Sequence, residues 1–113
     1  MKKENNDNTG KRIRHLVIFN FQDGISIYEK DKFLQNSKSI LTSIGVVENF
    51  EILKQINPDI DYPFGFSMEF KDQVVYESYK NNPIHLDYVT KEWQKNIDQF
   101  LGMDFEDYSY NIW

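Results

Sequence analysis

The stretch from Pro63 to Phe70 constrains the fold of this chain most, because every second residue in it is large and apolar. A period of two matches a β-strand, in which successive side chains point to opposite faces of the sheet. The apolar face of this strand carries Phe64, Phe66, Met68 and Phe70. A face this apolar must lie under helices, so the predicted domain has a sheet layer and a helical layer.

Three further segments alternate in a similar way and are predicted to be strands. Residues 12–21 place five side chains on one face, namely Ile13, His15, Val17, Phe19 and Phe21. Residues 46–56 form the second strand, which the turn Asn57-Pro58-Asp59 ends. Residues 100–106 form the last strand, with Leu101, Met103 and Phe105 alternating against Gly102, Asp104 and Glu106.

Helix signals separate these strands. Ser26 and Glu29 fit a capping box that starts a helix, and Gly45 is a natural stop for it. Asp72 is predicted to cap a short helix, and Asn82-Pro83 to start another. The apolar residues predicted to be buried are Val75 and Tyr79 in the short helix, and Leu86, Val89, Trp93 and Ile97 in the last one.

The predicted order of elements is β-α-β-β-α-α-β, which indicates an α+β class. With four antiparallel strands this is the ferredoxin-like split βαβ fold, its second helix broken in two. The outer face of the sheet is mixed, since Leu16 and Ile18 lie beside Asn20, Gly65 and Asp104. Packing two copies face to face would bury the aliphatic side chains, so the pattern predicts a homodimer. An open sheet with a few exposed aliphatic residues is the alternative.

Composition limits the partners of the chain. Its 113 residues suffice for one domain, and the net charge of -5 argues against nucleic acid or an anionic membrane as a partner. No cysteine and no apolar run of signal-peptide or transmembrane length occur, which predicts a cytoplasmic protein. Residues 1–11 are predicted to be a disordered polar tail. Residues 107–113 form an aromatic extension, predicted to pack on its own helices or on the partner's cavity.

Five short segments follow one another in a recognisable order between residues 12 and 106. They are Ile13–Phe19, Phe21–Ser26, Glu69–Asp72, Tyr79–Leu86 and Met103–Phe105. In this order they resemble the stress-responsive α/β-barrel (Dabb) domain family, whose best-understood branch looks like plant polyketide cyclases of the olivetolic acid type. The resemblance implies a ferredoxin-like protomer that packs against its twin as a dimeric α/β barrel. It also implies a cavity between the sheet and the helices of each protomer.

His85 and Tyr79 are the residues predicted to be catalytic if the protein is an enzyme. His85 lies near the start of the last helix, where the positive end of the helix dipole favours a neutral imidazole that can act as a base. The resemblance pairs it with Tyr79 as an acid–base couple. The alternative is a structural histidine that hydrogen-bonds a backbone group and closes the helix junction.

Four further residues are predicted to line the ligand pocket: His15, Ser37, Phe64 and Trp93. His15 lies on the apolar face of the first strand and so points under the helices. The cyclases place a tyrosine where this chain has Ser37 and a histidine where it has Phe64. These departures imply a drier cavity and put the cyclase substrate and reaction in doubt.

No cofactor or metal is predicted for this chain. Two histidines far apart, without cysteine, fall short of a transition-metal pattern, and the glycines are isolated rather than grouped in a phosphate loop. The leading hypothesis is a homodimer that binds a small, partly hydrophobic molecule. The alternatives are a cofactor-free acid–base enzyme that uses His85 and Tyr79, and a non-catalytic stress or scaffold protein.

Overall fold

The computed structural model describes residues 11–108, which fold into one four-stranded sheet covered on one face by helices. The predicted tail at residues 1–11 falls outside the described residues except for Lys11, and the predicted extension at 107–113 falls outside them beyond Tyr108. The strands are β1 Ile13–Phe21, β2 Glu48–Lys54, β3 Phe64–Phe70 and β4 Ile97–Glu106. The helices are α1 Ile27–Thr42, α2 Gln73–Lys80 and α3 Pro83–Tyr88, followed by a π-helical turn Val89–Trp93 and a last turn Gln94–Asn96.

The strands lie in the order β2-β3-β1-β4, and each neighbouring pair is antiparallel. This is the ferredoxin-like α+β fold that the sequence predicts. β1 occupies the centre with β3, so the face that carries Val17 and Phe19 is covered by the helices and is almost fully buried. β2 and β4 form the two edges of the sheet, and no other strand within residues 11–108 pairs with the outer side of β4.

The helix boundaries follow the predicted capping signals at their starts. Ser26 and Glu29 exchange side-chain-to-backbone hydrogen bonds, which is a full capping box at α1. Asp72 accepts a hydrogen bond from the backbone of Val75 at α2, and Asn82 caps α3 ahead of Pro83. The predicted stop at Gly45 is wrong, because α1 ends at Thr42. In α2 the deeply buried residues are Tyr76 and Tyr79, rather than Val75 and Tyr79.

The last helix ends earlier, and the last strand starts earlier, than the sequence predicts. Helical spacing predicts Ile97 on the buried helix face, but it is the first residue of β4 and pairs with Phe21 of β1. The π-helical turn widens the helix just before this point, and the backbone N–H of Gln22 donates to the carbonyl of Asn96 at 2.8 Å. Leu86 was also predicted to be buried and is 53% exposed.

The side chains of β4 face opposite ways from the prediction. Asp104 was assigned to the outer face, but it pairs with His15, whose side chain lies on the face under the helices. Directly paired residues of neighbouring strands share a face, so the apolar set on β4 lies on the outer face instead. That set is Leu101, Met103 and Phe105, opposite Ile18, Leu16 and Arg14 respectively. The outer face is consequently more apolar than the sequence pattern indicates.

No helix within residues 11–108 is long and apolar enough to cross a membrane. In the same part of the chain, no group of three or more histidine, aspartate and glutamate side chains comes together in a way that could hold a metal ion.

Candidate functional site

A cavity of about 270 Å³ lies between the covered face of the sheet and the helices. Its floor comes from β1 and β3, its roof from α1, α2, α3 and the π-helical turn, and its rim from β4. Most of the wall is apolar or aromatic and includes Val17, Leu41, Phe66, Met68, Tyr88, Val89, Trp93 and Phe100. Gly102 contributes no side chain, and a Cβ placed there would meet no atom within 4 Å. Phe100 and Gly102 are solvent-exposed, so the cavity opens along the edge strand.

Tyr79 brings a buried hydroxyl to this cavity. Its side chain is only 3% exposed, and its hydroxyl makes no hydrogen bond to any residue between 11 and 108. Burial raises the pKa of Tyr79 far above its usual value, so the phenol stays neutral and keeps its proton to donate. A buried donor without a partner is costly, and such a group in a cavity wall is suited to a ligand acceptor.

His85 lies beside Tyr79, with the two ring centroids 4.5 Å apart. Its Nδ1 is 3.1 Å from the carbonyl oxygen of Lys80, which has no proton to give, so Nδ1 must be the donor. The neutral ring therefore carries its lone pair on Nε2. Burial lowers the pKa of His85, and the hydrogen bond to Lys80 opposes this only in part. His85 thus makes the predicted backbone hydrogen bond and also lines the cavity.

His15 lines the same cavity and belongs to a three-residue cluster with Asp104 and Tyr76. Its Nδ1 lies 2.7 Å from Asp104 Oδ1, and the hydroxyl of Tyr76 donates to the same oxygen at 2.8 Å. Burial on its own raises the pKa of Asp104, but the hydrogen bonds from His15 and Tyr76 outweigh it and hold that pKa below its usual value. Burial, and after it the bond to Asp104, raises the pKa of Tyr76.

The other predicted pocket residues divide into one that lines the cavity and two that do not. Trp93 lies in the wall. Ser37 is buried outside the lining, because its hydroxyl accepts a hydrogen bond from Tyr88 behind the wall. Phe64 also lies outside the lining and packs instead against Phe19 and Phe21, with ring centroids 6.4 and 5.7 Å away. These two pocket assignments are corrected by the structure.

Sequence reasoning missed Asp104, Tyr76, Gln94 and Gly102 as residues at or next to the cavity. Asp104 stands in the Met103–Phe105 segment, but the alternation along this strand predicts its side chain on the outer face, which is wrong. The register between β1 and β4 is what brings Asp104 opposite His15, and no local pattern encodes that register.

The comparisons with known proteins agree with this fold. The model of the stress-responsive A/B barrel domain, Dabb, matches residues 13–107. The chain belongs to the Dabb family. None of the curated proteins matches it. A Dabb family protein of Mesorhizobium loti with a ferredoxin-like fold is 42% identical, with a TM-score of 0.80 over 84% of this chain and 95% of the other.

Two more distant solved structures share the fold of this chain. One is a dimeric protein of unknown function from Bacteroides fragilis, 20% identical, with a TM-score of 0.66 over 85% of this chain and 96% of the other. The second is a hydroxynitrile lyase from Passiflora edulis, 8% identical, with a TM-score of 0.76 over 90% of this chain and 99% of the other. At these identities the likeness concerns the fold alone. The specific biochemistry of this Dabb protein is not assigned by any of them.

Proposed function

We propose that this Dabb protein is a homodimer that binds, in the cavity of each protomer, a small and largely apolar molecule carrying a carbonyl or hydroxyl group. The observation that carries the proposal is the hydroxyl of Tyr79, which is buried in the wall of an apolar cavity and has no hydrogen-bond partner among residues 11–108. An acceptor on the bound molecule would satisfy this donor. The aromatic side chains around it would cover the rest of the molecule.

The size of the cavity limits the ligand. A volume of about 270 Å³ lies just below the range of about 300–1,000 Å³ typical of small-molecule pockets. A single ring with a short substituent fits that space, and Phe66, Trp93 and Phe100 offer ring faces and edges to pack on it. The opening along β4 provides a route of entry.

A matched pair of probes tests the binding proposal. Acetophenone carries a carbonyl oxygen, and ethylbenzene has nearly the same shape without it. We expect acetophenone to shift the methyl NMR signal of Met68, which lines the cavity, and to bind several-fold more tightly than ethylbenzene. One hydrogen bond contributes about 0.5–1.5 kcal/mol, which is about 2- to 13-fold in affinity.

The variant Tyr79→Phe should remove this preference and leave the ethylbenzene affinity unchanged. Tyr28→Phe is the matched control, because Tyr28 is 78% exposed and does not line the cavity. If neither probe shifts the Met68 signal at millimolar concentration, the cavity is not a binding site for such molecules. That result would support the alternative of a non-catalytic stress or scaffold protein.

The homodimer part of the proposal depends on the outer face of the sheet. Leu53, Leu101 and Phe105 are 38%, 50% and 51% exposed there, beside the half-buried Leu16 and Ile18. An apolar face of this extent is typical of a protein–protein interface. A second copy is the partner that we propose, since the Bacteroides fragilis neighbour with this fold is dimeric.

Sedimentation at micromolar concentration tests the dimer. The wild-type chain should sediment as a dimer, and Leu101→Lys combined with Phe105→Glu should yield a folded monomer. Val74→Lys is the control, because Val74 is 67% exposed but lies on α2 in the helical layer. A wild-type monomer at these concentrations would contradict the proposed interface.

We also infer a cytoplasmic location, supported by the absence of cysteine and therefore of disulfides from the sequence. Fractionation of cells that produce the full chain tests this. Recovery in a membrane or extracellular fraction would contradict it.

A second candidate function is cofactor-free acid–base catalysis, and the contact between Tyr79 and His85 favours it. In this reaction Nε2 of His85 takes a proton from a carbon next to a carbonyl group. The C–H electrons then form a carbon–carbon double bond, and the carbonyl oxygen becomes an enolate oxygen that accepts the hydrogen bond of Tyr79. The Passiflora edulis neighbour is a lyase, so this fold is compatible with a catalytic site.

Hydrogen–deuterium exchange of the acetophenone methyl group in D₂O measures this proton transfer directly. An enzyme of this kind accelerates the exchange over buffer, and His85→Gln abolishes the acceleration while acetophenone still binds. Binding without acceleration would leave a ligand-binding protein and reject catalysis at this type of carbon.

A further inference from the structure

We propose that Asp104 and Tyr76 are positioning residues that hold His15 in the tautomer with an unprotonated Nε2. This nitrogen then accepts a hydrogen bond from the molecule in the cavity. This inference rests on the proposed binding function and narrows the ligand class. The bound molecule then carries a hydroxyl or N–H donor in addition to the acceptor that meets Tyr79.

The first step is the shared contact on one carboxylate oxygen. Asp104 Oδ1 lies 2.7 Å from His15 Nδ1 and 2.8 Å from the hydroxyl oxygen of Tyr76. The Tyr76 hydroxyl oxygen is itself 3.1 Å from His15 Nδ1. The three groups come from β1, α2 and β4, so the cluster ties both strands to the helical layer at the cavity.

The second step is the placement of the protons. An ionised carboxylate can only accept hydrogen bonds, and the lowered pKa of Asp104 keeps it ionised at neutral pH. Tyr76 keeps its proton and donates it to Oδ1. Nδ1 of His15 lies 2.7 Å from the same oxygen. If Nδ1 were unprotonated, its lone pair would face a lone pair of Asp104 Oδ1, and the contact would be repulsive. Nδ1 therefore carries the proton, and in the neutral ring Nε2 does not.

The third step concerns the nitrogen that remains. Nε2 of His15 makes no hydrogen bond within residues 11–108, and the side chain is 19% exposed and lines the cavity. The chain has two histidines, and Nδ1 of each donates to an oxygen acceptor. The acceptor is Asp104 for His15 and the carbonyl of Lys80 for His85. The cavity is therefore lined by two histidines with an unprotonated Nε2, His15 and His85, and by Tyr79 with its donor hydroxyl.

This combination selects among ligands. An apolar ketone satisfies Tyr79 only and leaves both imidazole acceptors without a donor. A hydroxylated ketone offers a donor as well, and a buried acceptor that gains a donor favours that ligand over one lacking it.

NMR of the histidine side chains tests the positioning role without any ligand. With two histidines in the chain, His15→Gln assigns both spin systems. In ¹⁵N-labelled wild-type protein, once both imidazoles are in their neutral form, we expect a protonated Nδ1 and an unprotonated Nε2 for both rings. Asp104→Leu combined with Tyr76→Phe should move His15 predominantly to the Nε2–H form and leave His85 unchanged as the internal reference.

Asp107→Leu is the control, because Asp107 is an exposed carboxylate just after β4 that pairs with Arg14 instead. If the double variant does not fold, Asp104→Leu alone gives the same readout, since Asp104 is exposed enough to tolerate the change. A wild-type His15 with its proton on Nε2 overturns the proposal.

A second measurement tests the ligand class. Among the 2′-, 3′- and 4′-hydroxyacetophenones, at least one should bind about 2- to 13-fold more tightly than acetophenone, the range of one net hydrogen bond. The positioning variant, Asp104→Leu combined with Tyr76→Phe, should lose that gain. Equal affinity for all four probes overturns this inference while leaving the binding function standing. Failure of acetophenone itself to bind would instead contradict the proposed function.

Discussion

The hydroxyl of Tyr88 donates a hydrogen bond of 2.7 Å to Ser37 Oγ, and both side chains are almost fully buried. This bond joins the end of α3 to the middle of α1. Burial raises the pKa of Tyr88, so its hydroxyl remains a donor throughout the physiological range. The ring of Tyr88 lines the cavity, and Ser37 therefore holds part of the cavity wall without touching its contents.

Ser37→Ala should destabilise the protein by about 1–3 kcal/mol, because the hydroxyl of Tyr88 would stay buried without an acceptor. Urea unfolding measures the free energy difference, and Ser39→Ala, at an exposed position of the same helix, should change it little. Adding Tyr88→Phe to Ser37→Ala should recover part of the loss. Simple additivity of the two changes would show that the bond does not couple them.

The pH dependence of stability should contain a contribution from His85. Its pKa is lowered in the folded protein by burial, so the unfolded state binds the proton more readily. The contribution is fully present above the unfolded pKa of about 6.5 and is lost as the pH falls through the lower folded pKa. In urea unfolding between pH 7.5 and pH 5, wild type should lose more stability than His85→Gln. Parallel curves for the two proteins would contradict this.

Gly65 lies where β3 approaches β1 closely. A Cβ at this position would be 3.1 Å from the carbonyl oxygen of Val17 and 3.3 Å from Cγ2 of Ile18. Gly65→Ala should therefore destabilise the fold by about 1–3 kcal/mol through overpacking. Gly102→Ala is the control in the same sheet, because its Cβ meets nothing within 4 Å. Thermal unfolding of both variants checks this, and equal melting temperatures would count against the close approach.

Gly102→Val should close the cavity from its rim. The new side chain would lie on the same face as Val17, with which Gly102 pairs, and would extend into free space. We expect the fold and its circular dichroism spectrum to persist while acetophenone binding is weakened at least 10-fold. Undiminished binding in this variant would locate the probe somewhere other than this cavity.

The local elements were readable from the sequence because their signals are local. Alternation from Phe64 to Phe70 depends only on the period of a strand, and the capping box of Ser26 and Glu29 depends on residues three positions apart. The boundary near Ile97 was not readable in this way. The π-helical turn that precedes it has no side-chain cap, and its end residues Val89 and Trp93 both lie in the cavity wall.

The sequence by itself determined which side chains of a strand share a face, where the helices start, and that His15, Tyr79 and His85 could meet in one cavity. Only the tertiary structure decided which face of β4 is covered. In the observed arrangement Asp104 lies next to His15 on the covered face, and Leu101, Met103 and Phe105 lie on the outer face. The physical reason is that a period of two is symmetric between the two faces. The pairing register with a neighbouring strand breaks this symmetry, and it is set by contacts far apart in the chain.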